Sequence, residues 1–189
     1  MARIGLQNFR YAILTENATT GVATYGGAKT PGHAISCSVE ITNNDASLYG
    51  DDTLIESDKT FQSGTVTMGI DKDDVGTMSE LLGHDYDSDT GVMVRKVDDT
   101  APYVGLGRVV TKMVNGDYKY TVEILYKVKF AEPSQDDTTK GESIEFGTTE
   151  IEGTVSALKS GLWSEQKTFT SKDDALQFIE TAFSSASSY

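Results

Sequence analysis

The chain has 189 residues, with 16 Lys and Arg against 29 Asp and Glu, a net charge of −13, a single cysteine and 38% hydrophobic residues. That length fits one domain spanning 1–189. A mean hydropathy of −0.32 and the lack of a run of about 20 apolar residues exclude a membrane-spanning helix, and the lone Cys37 excludes an intrachain disulfide. The acid excess argues against nucleic-acid binding, which draws its affinity from Lys and Arg neutralising phosphates. The N-terminus lacks the apolar core of a secretory signal, so the expected site of action is the cytoplasm in which the chain is made.

Strand signals dominate the chain. The first strand is expected at about Phe9 to Leu14, followed by a polar, Gly-rich stretch over 15–32 that reads as a mobile loop. Ile35, Cys37, Val39 and Ile41 alternate with polar neighbours, which predicts a strand with the thiol on its apolar face. Segment 43–60 reads as an extended arm in which Leu48, Tyr49, Leu54 and Ile55 stand among acidic and polar residues. Another strand is expected from Phe61 to Ile70. A helix is predicted over Lys72 to Leu82, capped by Asp71 and ended by Gly83, and a second over Lys172 to Phe183 with Ser171 as N-cap. Between the helices the chain is nearly all β, with further strands about Ile144 to Phe146, Thr149 to Ala157 and Glu165 to Phe169. Pro133 to Gly141 reads as a loop and 184–189 as a frayed tail. The pattern predicts a mainly β, antiparallel sandwich or barrel-like fold with one or two flanking helices and one long hairpin.

That hairpin runs from Tyr103 to Phe130 about Asn115-Gly116, the residue pair that supplies both positive φ angles of a type I′ turn. Pairing residues whose numbers sum to 231 sets Arg108 opposite Glu123, Thr111 opposite Tyr120 and Met113 opposite Tyr118. It also lays Tyr126 over Gly105 and Ile124 over Gly107. The second strand, Tyr118 to Phe130, would reach roughly 40 Å at about 3.3 Å per residue, longer than ordinary strands. A strand this long outruns the core of a small domain, so either the sheet is strongly curved or part of it is completed by other chains, and the second is the expectation.

No chemical motif survives inspection. Gly26-Gly27-Ala28-Lys29-Thr30 lacks the glycine before the lysine and the following helix of a phosphate-binding loop. Asp85 to Gly91 resembles half a calcium loop, but its glycine comes one position late and Lys96 stands where a bidentate Glu belongs. Two histidines, His33 and His84, and one cysteine offer no zinc spacing, and no G-x-S-x-G occurs. Among 29 acids a chance carboxylate pair is neither visible nor excluded. The expectation is a protein that is not an enzyme and has no catalytic residue, cofactor or metal.

Five stretches resemble the major tail proteins, or tail tube proteins, of siphophages infecting Gram-positive bacteria. They are Ala2–Leu6 with Asn8–Ala12, Ile35–Ser38 with Ile41–Ala46, Ala101–Arg108, Tyr126–Ser134 and Lys140–Ser143. The resemblance implies six copies in a ring, rings stacked into a tube, and a tail tube fold whose long strands pool into an inner barrel. Tyr103, Gly105, Gly107, Arg108, Asn115, Gly116, Tyr118, Tyr120, Glu123 and Tyr126 would belong to that barrel hairpin, and Leu48, Tyr49, Leu54 and Ile55 to the contacts between copies. Implied partners are the chain itself, the tape-measure protein, and the tail terminator and distal tail proteins. DNA would pass through without specific binding, and the protein would reside in the virion tail after assembly in the host cytoplasm. Six copies at −13 each would give one ring a net charge of −78, which suits a conduit that must not bind DNA. The alternative is a β-sandwich carbohydrate- or host-surface-binding module using Tyr25, Tyr49, Tyr86 and Trp163 as stacking rings.

Overall fold

The computed structural model describes residues 2–50, 53–71, 74–135 and 148–184, and the side chains of 47–50 and 53–56 lie outside that description. The expected strand at Ile144 to Phe146 and the tail beyond Ser184 therefore also lie outside the described residues. The fold is mainly β and antiparallel, consistent with a sandwich. Ten strands are described: β1 (Ala2–Glu16), β2 (Ala23–Tyr25), β3 (Ala34–Gly50), β4 (Thr53–Ile70), β5 (Asp85–Asp87), β6 (Val92–Val94), β7 (Tyr103–Val114), β8 (Asp117–Phe130), β9 (Thr149–Val155) and β10 (Ser164–Phe169). Two helices accompany them, α1 (Val75–Leu82) and α2 (Lys172–Ser184).

The main sheet runs β2-β1-β7-β8-β9-β4-β3, with β10 also paired to β8. One edge of β8 thus serves two strands. Tyr120 to Leu125 pair with β10, and Val128 to Phe130 pair with β9. The sheet curls so that β3 returns against β1. The enclosed space is filled by Phe9, Leu106, Leu125, Met68, Ile151 and their neighbours, closed at one end by Met78, Leu81 and Leu82 of α1. A second cluster lies on the opposite face of β7 and β8, where α2 buries Ala175, Ile179 and Phe183, four residues apart on one stripe.

Local chemistry explains the element ends. Asn115 and Gly116 have φ of 54° and 92°, as the tight turn requires. The pairing sum of 231 holds from Met113/Tyr118 to Leu106/Leu125. A bulge between Val104 and Leu106 then slips the register, so Val104 pairs with Val128 and Tyr126 does not stand opposite Gly105. In β1, Asn8 takes a φ of 53° at a register break between Gln7 and Arg10, a conformation Asn tolerates better than most residues. The break delivers Phe9 fully into the core. α1 starts at Val75 rather than Lys72, because Asp74 and not Asp71 accepts from Thr77 N. Asp71 instead accepts from His33 N at 2.7 Å.

Two segments differ from their sequence reading. The 15–32 stretch is not a free loop: β2 folds back on β1. Lys29 then exchanges backbone hydrogen bonds with Tyr11, while its ammonium meets Glu80 at 2.6 Å. The described backbone of 43–60, read as a separate extended arm, is the far half of the β3–β4 hairpin. A third feature went unread, the small β5–β6 hairpin, in which Asp87 accepts from Asp89 N and from the Thr90 hydroxyl. That Asx-type turn engages Asp87, and Lys96 pairs with Asp85, two of the acids that looked like a calcium loop.

Candidate assembly surface

The longest structure in the protein is the β3–β4 hairpin, not the β7–β8 hairpin. Its strands have 17 and 18 residues, roughly 55–60 Å at about 3.3 Å per residue. Only Gly64 to Ile70 of β4 pair with β9. The remainder is a two-stranded ribbon that leaves the sheet where Phe61 stacks on Trp163, ring centroids 4.4 Å apart and planes within 2°. Beyond that stack, Asn44 pairs with Thr60, Asp45 with Lys59 and Ala46 with Asp58, and these six side chains are exposed. Leu48, Tyr49, Leu54 and Ile55 fall at the end of the ribbon, where backbone pairing is described and side chains are not.

Several strand edges pair with no strand among the described residues, among them the outer edge of β3, the outer edge of β10, and β1 from Ala2 to Arg10. Such edges offer rows of free N–H and C=O groups to another strand. Between β1 and β3 lies a groove of about 270 Å³ lined by Arg3, Leu6, Ile35, Cys37, Arg108 and Val110. Cys37 is half-buried there rather than sealed in the core, and burial, opposed by the nearby Arg108 cation, still raises its thiol pKa.

The residues expected on the β7–β8 hairpin do not share one surface. Arg108 and Glu123 are buried together on the interior face, Nη2 to Oε2 at 2.5 Å and Nε to Oε2 at 2.9 Å. Gly105 and Gly107 face α2. A Cβ on Gly105 would stand 2.5 Å from the Phe183 ring and 2.7 Å from the Tyr25 ring, and one on Gly107 2.7 Å from Ile179 Cγ2. The glycines therefore make room for the helix, not for Tyr126 and Ile124 of the opposite strand. Tyr126 is fully buried and its hydroxyl donates to Glu165 at 2.5 Å. Tyr120 is half-buried, while Tyr118, beside the Asn115-Gly116 turn, is 56% exposed. Tyr103 lies at the base with Lys127 Nζ 4.7 Å and Lys129 Nζ 5.4 Å from its ring centre. The expectation that this hairpin outruns its own core is corrected. From Val104 to Thr111 every residue of β7 is buried, and both edges of the hairpin are taken by β1, β9 and β10 of the same chain.

The rings considered for ligand stacking are mostly engaged. Tyr25 lies against Phe183 at 5.2 Å and its hydroxyl donates to Tyr126 O. Burial, reinforced by the Glu16 carboxylate, raises its pKa. Trp163 is stacked on Phe61, Tyr86 is 42% exposed on the β5–β6 hairpin, and the Tyr49 side chain lies outside the described residues.

Two charged clamps fix the ends of the sheet. Glu16 takes Lys127 Nζ at 2.6 Å and Lys159 N at 2.7 Å. Burial works to raise its pKa, but these donors outweigh burial and hold it below the usual carboxylate value. His84, 5% exposed, sits between Asp99, 2.7 Å from Nδ1, and Glu132 at Nε2. The backbone N–H of Lys96 and then His84 lower the pKa of Asp99. The clamp ties the end of α1 to the connection before β7 and the exit of β8. Among the described residues no three His, Cys, Asp or Glu side chains form a group that could hold a metal ion, and no helix is long and apolar enough to cross a membrane. No protein-family model matches the chain, and no curated protein matches it.

Proposed function

We propose that this chain is a self-assembling structural subunit of a phage tail tube, six copies to a ring and rings stacked into the conduit through which DNA leaves the virion. The observation that carries this reading is the β3–β4 ribbon. A two-stranded ribbon standing away from its sheet buries little apolar surface and is marginal in water by itself, yet here it extends well past its last contact with β9 at Gly64. A neighbouring copy supplies what it lacks. The open edges of β1, β3 and β10 are supporting features, since pairing or covering them in an assembly removes a hazard that an isolated monomer must otherwise manage. The resemblance of five stretches to tail tube proteins gives the assembly its biological form. It also supplies its partners: the tape-measure protein inside, and terminator and distal tail proteins at the ends.

Electron microscopy of the purified protein over a rising concentration series, together with the parent virion, tests the proposal. Rings or tubes, and density for this chain along the tail, are expected. A protein that stays a globular monomer at the highest concentration and is absent from virion tails overturns it.

A further inference from the structure

Three cations distant in sequence form one row on adjacent strands. Arg3 of β1 stands directly opposite Lys112 of β7, and Lys112 directly opposite Lys119 of β8. Directly opposed residues of neighbouring antiparallel strands share a face, with Cβ atoms about 4.5–5.5 Å apart, and like charges there repel. Arg3 is exposed, and Lys112 and Lys119 are half-buried. None of the three makes an ion pair within 4 Å among the described residues. Asp117 shares their face two residues beyond Lys119 and is likewise in none of these pairs. Deeper on the same face, Arg108 is fully paired with Glu123. A chain with only 16 cations against 29 acids thus keeps three of them together with no ion-pair partner among the described residues.

The complement lies on the β3–β4 ribbon. Its described strand positions carry three acids, Asp45, Glu56 and Asp58, against Lys59 alone. Lys59 is already held by Asp45 at 3.2 Å. β4 and β8 both run antiparallel to β9, so they share a sense, and the ribbon leaves the sheet at the same end as the β7–β8 turn. No ion pair joins row and ribbon within one chain among the described residues.

We propose that the Arg3-Lys112-Lys119 row docks the acidic β3–β4 ribbon of a second copy, side by side. This rests on the self-assembly reading and gives it a specific contact. A row on one copy meeting a ribbon on the next is a heterologous interface, the kind that closes into a ring when the rotation permits. It also gives a strongly acidic chain an attractive contact with itself, where net charge alone opposes association. A nucleic acid is the less favoured occupant, because the remaining surface repels a polyanion.

The test uses two paired reversals in the full chain, Lys112→Glu with Lys119→Glu, and Glu56→Lys with Asp58→Lys. Each variant alone, checked for native circular dichroism, is expected to need an about tenfold or higher concentration to assemble, equivalent to one decade in association constant. An equimolar mixture is expected to assemble near the wild-type concentration, since each variant then offers what the other requires, and a six-membered ring accommodates the alternation. The chain carrying all four reversals is expected to assemble alone. Wild-type-like assembly of either paired variant, or no rescue in both the mixture and the fourfold variant, overturns the contact while leaving the tube reading intact. A wild-type protein that never forms ordered assemblies overturns the tube reading itself. Duplex DNA binding that vanishes in Lys112→Glu with Lys119→Glu while assembly is unchanged assigns the row to nucleic acid and overturns the contact.

Discussion

Arg108 and Glu123 face each other across β7 and β8 inside the curled sheet, with side chains only 7% and 18% exposed. The register that pairs them is set seven residues away by the Asn115-Gly116 turn. Desolvating both ions costs several kcal/mol, which their mutual attraction offsets only with good geometry. Arg108 Nη1 adds a long contact to Cys37 O at 3.5 Å, reaching across to β3. Glu123→Ala is expected to cost about 3–5 kcal/mol, because it strands a buried guanidinium, whereas Arg108→Met with Glu123→Leu recovers most of the loss. Urea unfolding of the three proteins measures this. A single-variant loss below about 1 kcal/mol would show that water reaches the pair.

Gly107 is one of two glycines of β7 against which α2 packs with no room for a side chain. Gly107→Ala forces its methyl against Ile179 Cγ2 and is expected to cost about 1–3 kcal/mol, the usual penalty of overpacking. Ile179→Leu removes that branch methyl, so the same glycine substitution made in its background should cost less. A double-mutant cycle reads the coupling; simple additivity would place the strain elsewhere.

The Glu16 clamp gives the fold an acid limit. Its folded pKa lies below the ordinary carboxylate value. The stabilisation is therefore fully present above the unfolded pKa and lost as pH falls through the folded one. Thermal unfolding followed from pH 7 to pH 3 should show wild-type stability falling below about pH 4.5. Glu16→Gln should be less stable at pH 7 by about 1–3 kcal/mol and show a shallower fall. Identical pH slopes for the two proteins would remove Glu16 from the explanation.

Leu54 lies in the last described pairs of the β3–β4 ribbon, opposite Tyr49. Leu54→Asp is expected to abolish assembly while leaving the monomer's circular dichroism and melting temperature within a few degrees of wild type. Replacing the segment between Asn44 and Thr60 by Asn-Gly should do the same, because it closes the hairpin before the ribbon begins. Sedimentation velocity and microscopy check both. Normal tubes from either protein would move the contact elsewhere.

Much of the fold is legible in the chain because its rules are local. Asn115-Gly116 dictates a turn, and the turn dictates which residues meet. The alternation of Ile151, Gly153 and Val155 marks the buried face of β9. The apolar residues Leu176, Phe178, Ile179, Ala182 and Phe183 mark α2 as amphipathic, although its fully buried stripe is Ala175, Ile179 and Phe183. What stayed hidden depends on contacts between segments far apart in sequence. Alternation and composition marked 43–60 as an extended arm, but strand pairing alone shows that it continues β3 and β4 as one ribbon. Glycines 105 and 107 look alike whether an opposite strand or a helix covers them, and only the path of α2 decides. The Arg3-Lys112-Lys119 row is invisible along the chain, where no basic cluster exists; the register of three strands assembles it.

The β7–β8 hairpin shows the division most plainly. The sequence by itself determined its turn, its register up to Leu106 and Leu125, and its length, because backbone sterics at Asn-Gly and the two-residue side-chain period act within a few residues. Tertiary structure decided that this hairpin is enclosed by its own chain and that the open ribbon is β3–β4 instead. Which strand is left uncovered depends on where β9 and β10 divide the edge of β8, a matter of long-range pairing that no local pattern encodes.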